Sequence, residues 1–334
     1  MSQITRRSVL SAGVATAAMA GVAGAFAQAA LAQAKPKLRC AAVFTDQDIR
    51  AEAFRAFGKE IGDMFDFEAF FGGTLFKQGT ELVAMQRGNL EMANIAPQDI
   101  SKQIPAWSIL TAAYLFRDAD HLQKTFNGPI GTEFKKMARD QLGVHILTPV
   151  YFGTRQVNLR GTKKVNTPAD MAGVKLRMPP GEAWQLLGES MGANPTPVAF
   201  AELYTALQSG AVDGQDNPLP TSRTMKFHEV TKQFVLTNHL VGYDVFSVAA
   251  KTWDGMKPDQ QAKFQAAAEK TIAGSTAKHL AQEKEMVDYF KSQGLEVYSP
   301  NVDAFRDSAQ KKYLASALAK DWPAGMLDRI NAVR

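Results

Sequence analysis

The stretch from Pro258 to Gln293 carries helical spacing without a break for about 36 residues, a rod of roughly 54 Å at 1.5 Å per residue. No single small domain contains a rod of that length. It must therefore lie along two packed bodies, and 334 residues supply enough chain for two cores at roughly 150 residues each. Ahead of it, strand and helix patterns alternate. Leu38 to Phe44 reads as a short apolar strand, Ile49 to Ile61 as a helix through Phe54, Phe57 and Ile61, and Phe65 to Phe71 as a strand, which is a βαβ opening. Further strands are expected at Leu90 to Ile95, Gly143 to Phe152, Val174 to Met178, Val212 to Gln215, Gln233 to Thr237 and Tyr243 to Ala250. Helices are expected at Gln78 to Arg87, across Asp118 to Leu142 with a break near Gly128-Pro129, at Glu182 to Met191 and at Phe200 to Gln208. The expectation is an α/β protein of two lobes joined by more than one crossing segment. Lobe I takes residues 35–152 and 243–282, and lobe II takes residues 153–242 and 283–334.

Residues 1–34 read as an address. Arg6-Arg7 precede a weakly apolar Ala/Gly stretch that ends in Ala32-Gln33-Ala34, the three parts of a cleaved export signal of twin-arginine type. The stretch is too rich in Ala, Gly, Ser and Thr to make a good membrane anchor. The single cysteine, Cys40, follows Leu38-Arg39 rather than a small-residue lipobox, and is expected as a buried strand residue.

Composition excludes several functions. Charged residues make up 21% of the chain and the net charge is only +5, with Lys and Arg scattered, so a nucleic-acid partner is not expected. There is no Gly-x-Ser-x-Gly elbow, no Gly-x-Gly-x-x-Gly turn, no phosphate-binding loop and no His-Glu-x-x-His. Five histidines, at 121, 145, 228, 239 and 279, are spread without metal-ligand spacing. No catalytic residue, metal or cofactor is expected.

Residues 151 to 220 are the informative region. Val174, Leu176 and Met178 share one strand face and Arg177 takes the other, just before Pro179-Pro180 stops the strand. Arg177 thus sits at a strand's C-terminal end, the edge on which open α/β sheets bind ligands. A guanidinium fork there matches a carboxylate, although pairing with Glu182 or Asp170 is an equally good reading of the residue alone. Asn217 ends the following short strand before Pro218 and offers both donor and acceptor, or else caps a turn. Arg155, after Gly153 at the lobe crossover, offers a second cation or is a solvated arginine. Trp184, Phe71 and Phe152 are candidate apolar walls, each with core packing as the alternative.

Gly153-Thr154-Arg155, then Pro168 to Pro179 (PADMAGVKLRMP), then Phe200 to Pro218 (FAELYTALQSGAVDGQDNP) resemble, in order and spacing, the solute receptors of tripartite ATP-independent periplasmic (TRAP) transporters, of the dicarboxylate-receptor (DctP) type. The Gly72-Gly73-Thr74-Leu75 turn and the long helix extend the resemblance over nearly the whole chain after residue 34. It implies the fold of a two-lobed periplasmic binding protein with hinge strands and a lobe-spanning helix. It also implies a periplasmic receptor that captures an organic acid, closes on it and hands it to a membrane permease driven by an ion gradient, without covalent chemistry. Arg177 looks like the family's carboxylate clamp, with Arg155 and Asn217 as its partners. Where many relatives read Leu-Gly after the Gly-Gly turn, this chain has Leu75-Phe76, which bears on the loop contacts of Gln78. Glu202 and Tyr204 also match the pattern, as packing and capping residues. The rival readings are a subunit presenting the same ligand to a membrane sensor and a carboxylate-processing enzyme using Glu202 or Asp213 as base.

Overall fold

The computed structural model describes residues 35–334, so the export-signal reading lies outside the described residues. The strands are β1 (Lys37–Ala41), β2 (Asp66–Phe70), β3 (Met92–Ile95), β4 (Val144–Leu159), β5 (Lys175–Met178), β6 (Asn194–Pro197), β7 (Gly214–Pro218), β8 (Gln233–Ala249) and β9 (Glu296–Tyr298). They form one sheet in the order β2-β1-β3-β8-β4-β7-β5-β6, with β9 on the far end of β8.

The sheet divides because β4 and β8 are long. They pair antiparallel along their lengths, Val144 with Ala249 at one end and Leu159 with Gln233 at the other. The parallel trio β1, β2 and β3 attaches to β8 at Val245–Val248, whereas parallel β5, β6 and β7 attach to β4 at Arg155–Leu159. Two half-sheets therefore share only this ribbon, which is the expected two-lobed α/β fold with its crossing strands. Between Tyr151 and Gly153 the register slips. Gly153 has φ +114° there, faces Gly242, and leaves no room for a Cβ: one would stand 2.7 Å from Pro218 Cβ.

The long helix forms as Pro258–Ser292 and packs on both halves. Phe264, Ala267, Ala268 and Ile272 join Phe54 and Phe57 in one core, while Met286 and Phe290 join Leu219, Phe234 and Leu295 in another. Cys40 is buried in β1, as expected. Two expectations fail. Val144–Leu159 and Gln233–Ala249 are single strands, because pairing with each other carries them through the crossover where local pattern suggested breaks. The assignment of 283–334 to lobe II does not hold for its last part: Trp322 donates to Ser108 Oγ at 2.9 Å, and His121 Nε2 lies 2.9 Å from the Ile330 carbonyl, both partners lying in the lobe I range. Among the described residues no helix is long and apolar enough to cross a membrane.

Candidate functional site

The parallel strands of the two half-sheets point their C-terminal edges at each other, the edges from which open α/β sheets present ligand-binding groups. From one side come Val43 and Phe44 after β1, Asn94 and Ala96 at the end of β3, and Asp244 from β8. From the other come Arg177 and Pro179 after β5 and Asn217 at the end of β7. Together with Gln78, Glu81, Asp99, Phe152, Arg155, Trp184 and Thr221 they line a cavity of about 60 Å³ between apposed lobes.

Arg177 is 1% exposed, its Leu176 and Met178 neighbours pointing into the hydrophobic core. Its Nε donates to the Val198 carbonyl at 2.8 Å and one terminal nitrogen reaches Gln78 Oε1 at 3.4 Å. Neither Glu182 nor Asp170 pairs with it; Asp170 instead closes its own turn on Thr167. Burial, aggravated by Arg155 and eased by Asp216, pushes the guanidinium down to about 9, so it still carries its charge near neutrality. A buried cation facing a cavity without a carboxylate partner is costly unless an anion arrives.

Arg155 is the contrasting case. Its Nε lies 2.8 Å from Asp216 Oδ2, a terminal nitrogen donates to Oδ1 at 2.9 Å, and the guanidinium stands over the Trp184 ring at 4.9 Å. His239 Nε2 completes the Asp216 shell at 3.0 Å. Burial would raise the Asp216 carboxyl, but the Arg155 charge and these hydrogen bonds outweigh it and hold the group well below the usual carboxylate range. Arg155 thus lines the cavity already neutralised, so the expected second cation is a supporting one. Asn217 lines the cavity with its amide donating to Gln215 Oε1 at 2.6 Å. Gln78 bridges the cleft, its Oε1 accepting from the Phe200 amide at 2.8 Å.

Of the six expected site residues, Arg177, Arg155, Asn217, Trp184 and Gln78 meet at this cavity. Phe71 does not: it lies on the far side of Phe44, ring centroids 5.7 Å apart, and stacks under Arg55. Phe44 and Phe152 line the cavity instead, and between them Arg50 is sandwiched at 4.2 Å from each ring. The acidic and amide groups of lobe I, Glu81, Asn94, Asp99 and Asp244, were not anticipated. Asn94 and Asp244 stand at or near the outgoing edges of their strands' pairing, so the strand-end rule that finds Arg177 applies to Asn94 as well. Burial pushes Glu81 up to about 8 against the pull of its backbone hydrogen bonds, and also raises Asp99 and Asp244 despite Lys102 and Arg50.

A family model described as bacterial extracellular solute-binding protein, family 7 (DctP), matches residues 44–320, and the chain belongs to that family of TRAP-type solute receptors. Among solved structures, a TRAP periplasmic solute-binding protein from Roseobacter denitrificans with bound 3-deoxy-D-manno-oct-2-ulosonic acid is 43% identical, with a TM-score of 0.88 over 90% of this chain and 100% of that one. A 2,3-diketo-L-gulonate-binding periplasmic protein of Escherichia coli is 30% identical over 79% of this chain and 80% of its own length. A sialic acid-binding periplasmic protein of Vibrio cholerae is 34% identical over 63% of this chain, the match spanning 65% of the relative's length.

Proposed function

We propose that the protein is a periplasmic receptor that holds an organic acid by its carboxylate on Arg177, closes its lobes around it, and delivers it to a TRAP membrane permease. The observation that carries this reading is the Arg177 guanidinium, buried, charged and without an acidic partner at the floor of an interlobe cavity. Asn217 adds a hydrogen-bonding partner beside it, Arg155 with Asp216 stiffens the strand ends, Trp184 walls the site, and Gln78 latches the opposite lobe. The ligands named for the three relatives are all acids, which supports a carboxylate as the shared handle. The protein acts by binding and release without turnover, and export by the twin-arginine signal brings it to the compartment for which its relatives are named.

Calorimetry tests the clamp. Titrating purified protein with 3-deoxy-D-manno-oct-2-ulosonic acid and other acids should give one site per chain, and Arg177→Ala should weaken it by about 3–5 kcal/mol, a factor of hundreds or more. Arg177→Lys should also bind poorly, since an ammonium lacks the planar fork. Unchanged affinity in both variants would remove the clamp. Uptake of the bound acid by vesicles carrying the permease tests delivery.

A further inference from the structure

Besides Arg177 and Arg155, the cavity is lined by Arg50, in the first turn of the helix Ile49–Glu60. It is buried, and its surroundings differ from those of the other two. The guanidinium lies between the Phe44 and Phe152 rings. Along its edge, Nε and one terminal nitrogen donate to the two oxygens of Asp48 at 2.9 and 2.8 Å, and the other terminal nitrogen reaches Asp244 Oδ2 at 3.1 Å. Aromatic faces and carboxylates are the two kinds of group that a guanidinium binds best, so its charge is spent on neighbours rather than on the open space.

The two acids differ in what would hold them without Arg50. Asp48 caps its helix: Oδ1 also accepts from the Arg50 backbone amide at 2.9 Å, and a helix N-terminus favours a negative charge. His279 of the long helix faces Asp48 at 4.0 Å, but burial pushes it down to about 4, so it brings no charge that could replace Arg50. Asp244, on β8, lines the cavity itself, and besides Arg50 its Oδ2 is held by the neutral Asn94 amide at 2.5 Å. An anion coming to Arg177 shares this small space with the Asp244 carboxylate. At separations of roughly 6–10 Å and an effective dielectric of about 20, an uncompensated like charge lowers affinity about 10- to 100-fold. Arg50 is the cation in contact with that carboxylate.

We infer that Arg50 is a positioning residue of the acid site: it acts on the bound anion through Asp244, keeping that carboxylate compensated and aimed at the guanidinium, so that the ligand on Arg177 meets no opposing charge from the other lobe. This rests on the carboxylate clamp at Arg177, and it gives a part to a lining arginine that the clamp leaves without one.

A rescue experiment tests it, by calorimetry at pH 8 with whichever of 3-deoxy-D-manno-oct-2-ulosonic acid, D-gluconate and succinate the parent binds most tightly. Arg50→Met keeps a stem between the two rings and removes the charge, and it should weaken the acid fivefold or more. Asp244→Asn keeps partners for Arg50 and Asn94 in neutral form, and it should tighten the acid at least twofold. The double variant, Arg50→Met with Asp244→Asn, should recover fivefold or more over Arg50→Met alone, because removing the carboxylate does what the guanidinium did. A smaller recovery means that Arg50 holds the ligand directly or shapes the wall alone, and it overturns the inference. A loss below fivefold in Arg50→Met overturns it as well, as does an Asp244→Asn protein that binds no more tightly than the parent. Melting temperatures without ligand report folding; should either protein carrying Arg50→Met unfold, Asp244→Asn decides by tightening the acid or failing to. If Arg177→Ala abolishes binding but the rescue fails, the part given to Arg50 fails alone. If no acid binds, or Arg177→Ala binds as the parent does, the clamp and this inference fall together.

Discussion

Three arginines line the cavity, and what separates Arg155 from Arg177 among them is their company. Arg155 is held by both oxygens of Asp216, with His239 behind, whereas Arg177 has only a backbone carbonyl and a distant amide oxygen. The first is structure, and in the proposed function the second is the one that takes the anion. Asp216 is therefore a stability residue. Because its carboxyl is held well below the usual range by Arg155 against the opposing effect of burial, the unfolded chain takes up the proton first as pH falls below about 4. The stabilisation is thus present above that pH and is lost as pH drops further toward the folded value. Asp216→Asn should cost about 3–5 kcal/mol at pH 7 by leaving Arg155 unpaired, and its melting temperature should fall less steeply than that of the parent between pH 4 and pH 2.5. Calorimetric melting across that range checks both, and equal melting at pH 7 would refute the role. Strand-end logic finds Arg177 in the sequence because the alternation and the double proline are local. It does not find the Arg155–Asp216 pair, because that depends on the antiparallel register of strands 61 positions apart, in which Arg155 faces Pro218 and Gln156 faces Asn217.

At the scale of elements, the crossover is where the local pattern misled most and where the structure is most constrained. Gly153 reads as a strand end, yet β4 runs through it by twisting, and the register slip is paid in conformations only glycine adopts easily. Glu283 of the long helix reaches this point, accepting from the Thr154 amide at 2.6 Å and from the Tyr151 hydroxyl at 2.5 Å. The helix is thereby tied to the ribbon between its two packed ends. Gly153→Ala would set a Cβ 2.7 Å from Pro218 Cβ and 3.1 Å from Glu283 Oε1 at φ +114°. It should destabilise the protein by about 1–3 kcal/mol, read as a lowered midpoint in urea with an unchanged slope. A midpoint equal to the parent's would mean that the crossover tolerates a side chain. Other elements were hidden for different reasons. β6 reads Asn194-Pro195-Thr196-Pro197, whose two prolines disguise a strand that is tolerated because it lies at the sheet edge. Val302–Leu314 and Met326–Asn331 owe their places to packing on distant elements, which no local spacing reveals.

At the scale of the whole molecule, the two lobes are apposed, with Gln78 hydrogen-bonded to the Phe200 amide and Lys102 lying against Gly181. In this arrangement Arg177 is enclosed with its charge uncompensated, a state that costs several kcal/mol for a buried ion after relaxation. Separating the lobes returns water to the guanidinium, and a bound carboxylate replaces that water. On the proposed reading, the charge would hold the empty receptor open and the ligand would close it, because the acid binds the closed form better by the amount of that penalty. Arg177→Met keeps the stem's bulk and removes the charge, so it should close without ligand. If the penalty is about 3 kcal/mol, the substitution shifts the open-to-closed ratio by a factor of ~150. Small-angle scattering gives the readout. The parent protein should contract when its acid is added, whereas ligand-free Arg177→Met should already have the contracted radius of gyration and should not respond to the acid. A Met variant as expanded as the empty parent would show that the enclosed charge does not set the resting position of the lobes.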